Sequence, residues 1–263
     1  MTLLAVPLGL MVGLTMGALG GGGSVLTVPA LVYLLGQTPR QASTASLIIV
    51  AATSAAGAVA HRRAAAVPWR SQLGYVGAGM ATAAAGSWLS RGLDARVLLI
   101  GFAVLMLLAA LAMWWAPSQP VVEELLADVE HAQPPVPVAA TAPWGRVVFA
   151  GLLVGLLTGV FGVGGGFLGV PALIYAAGFS MPSAIATSLV AITMNSLAAL
   201  TTRLAGADVD WSVVLPFTAV AVVGALLGQR GGRRVSSQVL QRAFAVLLVA
   251  LAGLVLVDQL ALR

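Results

Sequence analysis

Apolar residues fill the chain in long blocks, and short polar clusters cut the blocks apart. Stretches 42–60, 71–90, 97–116, 183–202, 211–229 and 238–258 each approach the ~20 apolar residues that a membrane-spanning helix needs. Arginine-bearing turns separate them: His61-Arg62-Arg63 with Arg70, Arg91 with Arg96, and Arg230 with Arg233 and Arg234. The opening block is different. Residues 3–36 would make one helix about 51 Å long, against a hydrocarbon core of ~30 Å. Four glycines, 20–23, interrupt it, and the arm after them is too short to span. The pattern predicts a helix–loop–helix hairpin that dips into the membrane and returns, with the glycines at its tip.

The same pattern occurs twice. With Gly9 set against Gly151, GLMVGLTMGALGGGGSVLTVPALVYLLG (9–36) meets GLLVGLLTGVFGVGGGFLGVPALIYAAG (151–178) without a gap, and 19 of 39 positions agree over 9–47. Trp69/Trp211, Gly86/Gly228, Arg91/Arg233 and Phe102/Phe244 hold the register further on. The expected organisation is a first unit, 1–116 (hairpin 3–36, helices 42–60, 71–90 and 97–116), and a second, 144–263 (hairpin 145–178, helices 183–202, 211–229 and 238–258). A Pro- and acid-rich connector, 117–143, reads as exposed and irregular. The first segment has no basic flank before Arg40 and recurs internally, so it reads as part of the fold and not as a leader.

Composition places this pattern in a bilayer. The chain is 60% hydrophobic and 8% charged, where a soluble domain carries about 25% charged residues. The fold class expected is therefore an all-α integral membrane protein. Trp69, Trp88, Trp114, Trp115, Trp144 and Trp211 fall at segment ends, as an interfacial belt requires. There are no cysteines, which removes disulfides, thiolate metal sites and thiol nucleophiles. All 13 basic side chains are arginine; with heavy Ala, Gly, Val and Leu usage this suggests a GC-rich bacterial source. The net charge of +5 is spread over loops and sets orientation rather than binding nucleic acid.

Orientation follows from the hairpins. A hairpin plus three crossings inverts one unit relative to the other. That arrangement puts Arg62, Arg63, Arg70, Arg146, Arg230, Arg233, Arg234 and Arg242 on one side and Arg40, Arg91, Arg96, Arg203 and Arg263 on the other, 8 against 5. Parallel units split 6 against 7. The positive-inside rule favours the biased, inverted arrangement with the connector cytoplasmic.

Irregular backbone at membrane depth persists only where protein or a watery cavity covers it. Helices starting after the glycines would present free N–H groups and a positive dipole end there, which suits an anion. Interrupted segments at matching places in two halves point to a transporter's binding site. The candidates are Gly21, Gly22, Gly23, Ser24 and Val25 in one unit and Gly164, Gly165, Gly166 and Phe167 in the other. The next helices add neutral polar groups: Ser43, Thr44, Ser46, Thr53 and Ser54, then Thr187, Ser188, Thr193, Asn195 and Ser196. Of these, Thr44, Ser46, Thr187, Ser188 and Asn195 complete the expected substrate-binding set. Serine and threonine in membrane helices also bond back to their own backbone, which is the competing reading for each. Gly9, Gly13 and Gly17 have helix-packing spacing instead.

Several activities are excluded. No Asp or Glu falls mid-membrane, so the carboxylate relay of a usual proton pump is missing. His61 and His131 lie at a segment end and in the connector. No cluster calls for a metal or cofactor, no nucleophile–base pair suggests an enzyme, and ATP-driven transport by this chain alone is excluded. Gly164 to Gly169 matches a dinucleotide fingerprint, but without a preceding strand the match is rejected.

At the glycine-rich hairpins, GALGGGGSVLTVPALVYLLG…ASTASL (17–47) and GVFGVGGGFLGVPALIYAAGFSMPSAIATSL (159–189), the chain resembles the sulfite exporter TauE/SafE family, of the sulfonate-uptake-permease type. The resemblance implies a multi-pass transporter of the bacterial inner membrane that moves sulfite, sulfonates or other small sulfur-containing anions, with members differing in substrate and direction. Its partners would be the anion and the lipid bilayer, with a homo-oligomer and a coupling ion left open. Two alternatives are an anion channel on the same scaffold and a non-transporting assembly or regulatory protein whose glycines only pack helices.

Overall fold

In the computed structural model the described residues are 2–18, 22–61, 69–115, 143–179, 181–204, 209–231 and 237–261. They form ten helices, and no strand occurs among them. These are α1 (Thr2–Ala18), α2 (Gly22–Leu34), α3 (Pro39–His61), α4 (Trp69–Leu89), α5 (Ala95–Trp115), α6 (Trp144–Phe161), α7 (Gly166–Ala177), α8 (Met181–Arg203), α9 (Trp211–Gly231) and α10 (Ser237–Ala261). α2 opens as a 3₁₀ turn over Gly22–Leu26 and closes as a π turn over Ala30–Leu34. Of the connector 117–143 expected from composition, residues 117–142 lie outside the described residues.

Among the described residues, four stretches are long and apolar enough to cross a membrane: Pro39–Ala60, Trp144–Phe161, Ser183–Arg203 and Trp211–Gln229. Of the other expected spans, α5 and α10 contribute shorter apolar runs, Ala95–Leu111 and Ala245–Gln259. α4 is 21 residues long but rich in Gly and Ala, and falls outside both groups. The expected hairpin arm Trp144–Phe161 is itself long enough to cross. Its 18 residues rise about 27 Å. The second hairpin therefore reaches deeper than a shallow dip.

Small residues set the closest packing. α1 runs parallel to α9, with Gly9, Gly13 and Gly17 against the backbone at Phe217, Ala221 and Ala225. α6 runs parallel to α4 in the same way, with Gly151, Gly155 and Gly159 against Tyr75, Gly79 and Ala83. In both pairs glycine on every fourth residue gives one helix a flat stripe on which the other backbone lies. The packing role expected for Gly9, Gly13 and Gly17 is what the fold uses.

α3 and α8 pack antiparallel. Ser43, near the start of α3, bonds Arg203 at the end of α8, while Gly57 near the end of α3 lies by Leu189 near the start of α8. α4 joins them where Leu47, Ala83 and Ala199 cluster. α5 packs on α10. Trp88, Trp114, Trp144 and Trp211 are exposed in the first or last turns of α4, α5, α6 and α9, where a headgroup belt would hold them.

Candidate functional site

The second hairpin turns at Gly162, Gly164 and Gly165, with φ of 71°, 75° and 60°. This left-handed backbone strains any residue with a Cβ, so three glycines within four positions are what the turn demands. Gly162 lies on Ser43 and Gly164 against Val50 and Ile192. Val50 and Ile192 are each the twelfth residue of a 23-residue helix. The turn thus runs from near the start of α3 to the half-length of α3 and α8. α7 starts there, and its N-cap, Gly165, offers no side chain to the first N–H groups. Those donors and the positive end of the helix dipole therefore sit at mid-depth. The head of α2, Gly22–Leu26, packs against α7, so the two return arms meet.

Polar oxygens flank this place. Ser46 and Ser188 stand one helical turn before Val50 and Ile192, and so share the faces that meet Gly164. Both are fully buried, and their hydroxyls have no hydrogen-bond partner among the described residues. Ser24 and Thr27 on α2, Thr187 on α8 and the Tyr75 hydroxyl are in the same condition. A Cβ at Gly169 would approach both Ser188 Oγ and Tyr75 Oη, which places these two hydroxyls beside the same turn of α7. A buried polar group without a partner costs about 1–3 kcal/mol.

The expected set is distributed as follows. Gly22, Gly23, Ser24 and Val25 are buried at the head of α2, Gly164 and Gly165 lie in the second turn, and Gly166 opens α7. Gly21 and the side chain of Phe167 lie outside the described residues. Ser46, Thr187 and Ser188 are buried and unpartnered. Thr44 is different: its hydroxyl donates to the Arg40 carbonyl at 3.1 Å, the back-bonding that competes with a ligand role. Asn195 leaves Oδ1 unpartnered, but its carboxamide lies against Gly79 of α4, at the α4–α8 contact.

Thr27 and Tyr75 escape the sequence reading. Their signal is in the repeat: Thr27 stands where the other copy has Gly169, and Tyr75 where it has Phe217. Each is a hydroxyl at a position that is otherwise apolar. Arg203 reads from sequence only as a charge at a segment end. It instead donates from Nε to Ser87 Oγ (3.0 Å), from Nη1 to Ser43 Oγ, and from Nη2 to Ser90 Oγ (2.9 Å) and to the carbonyls of Gly159 (2.7 Å) and Val160 (3.0 Å).

The chain matches the family model "Sulfite exporter TauE/SafE" over residues 5–255. It is 32% identical over 245 residues to a "Probable membrane transporter protein" of Xylella fastidiosa (strain 9a5c), across 92% of this chain and 90% of that protein. It is 26% identical over 257 residues to "Probable membrane transporter protein YunE" of Bacillus subtilis (strain 168), across 93% of each. No solved structure matches it. The family match over residues 5–255 and the likeness to bacterial relatives over nearly their whole length, together with long apolar helices, identify the chain as a multi-pass membrane protein of the sulfite exporter TauE/SafE transporter family.

Proposed function

We propose that this protein is a secondary transporter of small sulfur-containing anions, sulfite or sulfonates, working by alternating access in the bacterial inner membrane. The observation that carries this reading is the set of buried, unpartnered hydroxyls beside a glycine turn at half-depth. Hydroxyls and helix N–H groups donate to an oxyanion without burying a full charge, and so can both bind and release it. The substrate groups proposed are the backbone from Gly21 to Val25 and from Gly164 to Phe167, with Ser46, Thr187 and Ser188, and with Thr44 and Asn195 at the margin.

Two inverted units, 1–116 and 144–263, would supply the moving parts. Helix bounds that keep the register of the sequence match support the repeat: Pro39–His61 with Met181–Arg203, and Trp69–Leu89 with Trp211–Gly231. Inversion is supported by the antiparallel run of α3 and α8, which occupy equivalent places in the two units. It is also supported by the meeting of Arg40, Arg91 and Arg203 at one end, as the inverted count of arginines requires. Rocking of one unit on the other would expose the hairpin turns to each side alternately.

Ligand stabilisation tests the reading. Sulfite or methanesulfonate at about 100 times its Kd should add about 2.7 kcal/mol to the folded state and raise the Tm of the purified protein, while chloride should not. No shift with any small oxyanion would count against the site.

A further inference from the structure

We infer that Arg203, with Arg40 and Arg91, forms a second anion-binding site, a docking station at one mouth of the protein through which an oxyanion reaches the second hairpin. This rests on the transport reading above. Arg203 ends α8, and its guanidinium is partly buried. It is held by hydroxyls of Ser43 on α3, Ser87 in the last turn of α4 and Ser90 just after it, and by the Gly159 and Val160 carbonyls in the last turn of α6. All five acceptors are neutral, so its charge is not cancelled by them. Nη1 carries two N–H groups and uses one on Ser43 among the described residues, which leaves one for a ligand.

The neighbours add to the charge. Arg40 Nη2 donates to the Arg91 carbonyl at 2.9 Å, and the serines that Arg203 holds, Ser43 and Ser90, lie three residues after Arg40 and one before Arg91. Of the acids near these arginines in sequence, Asp94 accepts from the backbone N–H of Arg96 at the start of α5, Asp210 accepts from Ser212 at the start of α9, and Asp208 lies outside the described residues. Arg40, Arg91 and Arg203 therefore meet at one end of the bundle, beside neutral acceptors. Ser43, which Arg203 holds, lies directly against Gly162, so the docked anion would sit at the foot of the glycine turn. The opposite mouth is not equivalent: in the places that Arg40, Arg91 and Arg203 take, the other copy of the repeat has Pro182, Arg233 and His61. In the proposed topology the three-arginine mouth opens away from the cytoplasm.

A cluster of one sign in a low-dielectric mouth raises the local anion concentration and the rate of arrival by roughly tenfold or more, and salt suppresses the gain. Uptake of radiolabelled sulfite and methanesulfonate into right-side-out and inside-out membrane vesicles reads this by side. Arg203→Gln should raise KM roughly tenfold from the three-arginine side alone and flatten its salt dependence, with kcat less affected. Arg203→Lys, which keeps the charge but cannot hold five acceptors, should retain most of the affinity. Arg40→Gln and Arg91→Gln, outside that hydrogen-bond set, should each raise the same KM about twofold to threefold. Unchanged KM in the Arg40 and Arg91 variants, with lysine at 203 as damaging as glutamine, would make Arg203 a structural brace and overturn the docking site while transport stands. Wild-type vesicles that take up neither anion would overturn the transport reading and this site with it.

Discussion

Gly155→Leu is expected to remove most of the folded protein from the membrane. A Cβ at Gly155 would come 2.1 Å from the Gly79 carbonyl oxygen and 2.5 Å from its Cα. Those are backbone atoms of α4, so no rotamer change relieves the clash, and α6 would have to leave α4. Overpacking of this kind costs about 3 kcal/mol or more, a large part of a stability of about 5–15 kcal/mol. Gly13→Leu meets the Ala221 carbonyl at 2.2 Å and should behave alike. Gly145→Leu is the control, because nothing lies within 4 Å of its Cβ position. Yield after detergent extraction and Tm would show the difference. A Gly155→Leu protein that melts with the wild type would mean that the α4–α6 contact is not as close as described.

The second large effect separates binding from folding. Ser46→Ala with Ser188→Ala should weaken anion affinity strongly while leaving Tm unchanged or higher. A hydrogen bond to a charged group contributes about 1.5–3 kcal/mol, so each substitution should raise KM by ~10-fold to ~100-fold. In the unliganded protein the same hydroxyls are buried without partners, and deleting them removes a desolvation cost. Function would thus be gained at the expense of stability, a common trade at binding sites. A double variant that loses stability and keeps its KM would show instead that these serines pack the core.

Much of this was legible in the sequence because a bilayer leaves few choices. Length and apolarity marked α3, α8 and α9, and a glycine block in an apolar run could only be a break. The match of the chain to itself pairs Gly22 with Gly164 and Ser46 with Ser188. What the sequence withheld was depth and partner. Nothing in WGRVVFAGLLVGLLTGVF tells whether this arm turns back or crosses, since a hairpin arm and a spanning helix share one composition. Thr44 and Ser46 are alike in sequence, yet Thr44 turns its hydroxyl onto the carbonyl four residues earlier and Ser46 does not. Arg203 looked like any interfacial arginine, because its five acceptors come from three other helices far apart in sequence.

The central claim, that two meeting return arms and their buried hydroxyls hold a small oxyanion on its way through, is tested most directly by concentration-dependent uptake. Purified protein in liposomes, given increasing external sulfite or methanesulfonate, should show uptake that saturates, because a finite site must be filled and emptied in each cycle. Uptake that rises linearly without limit, or none above empty liposomes for either anion, would contradict it.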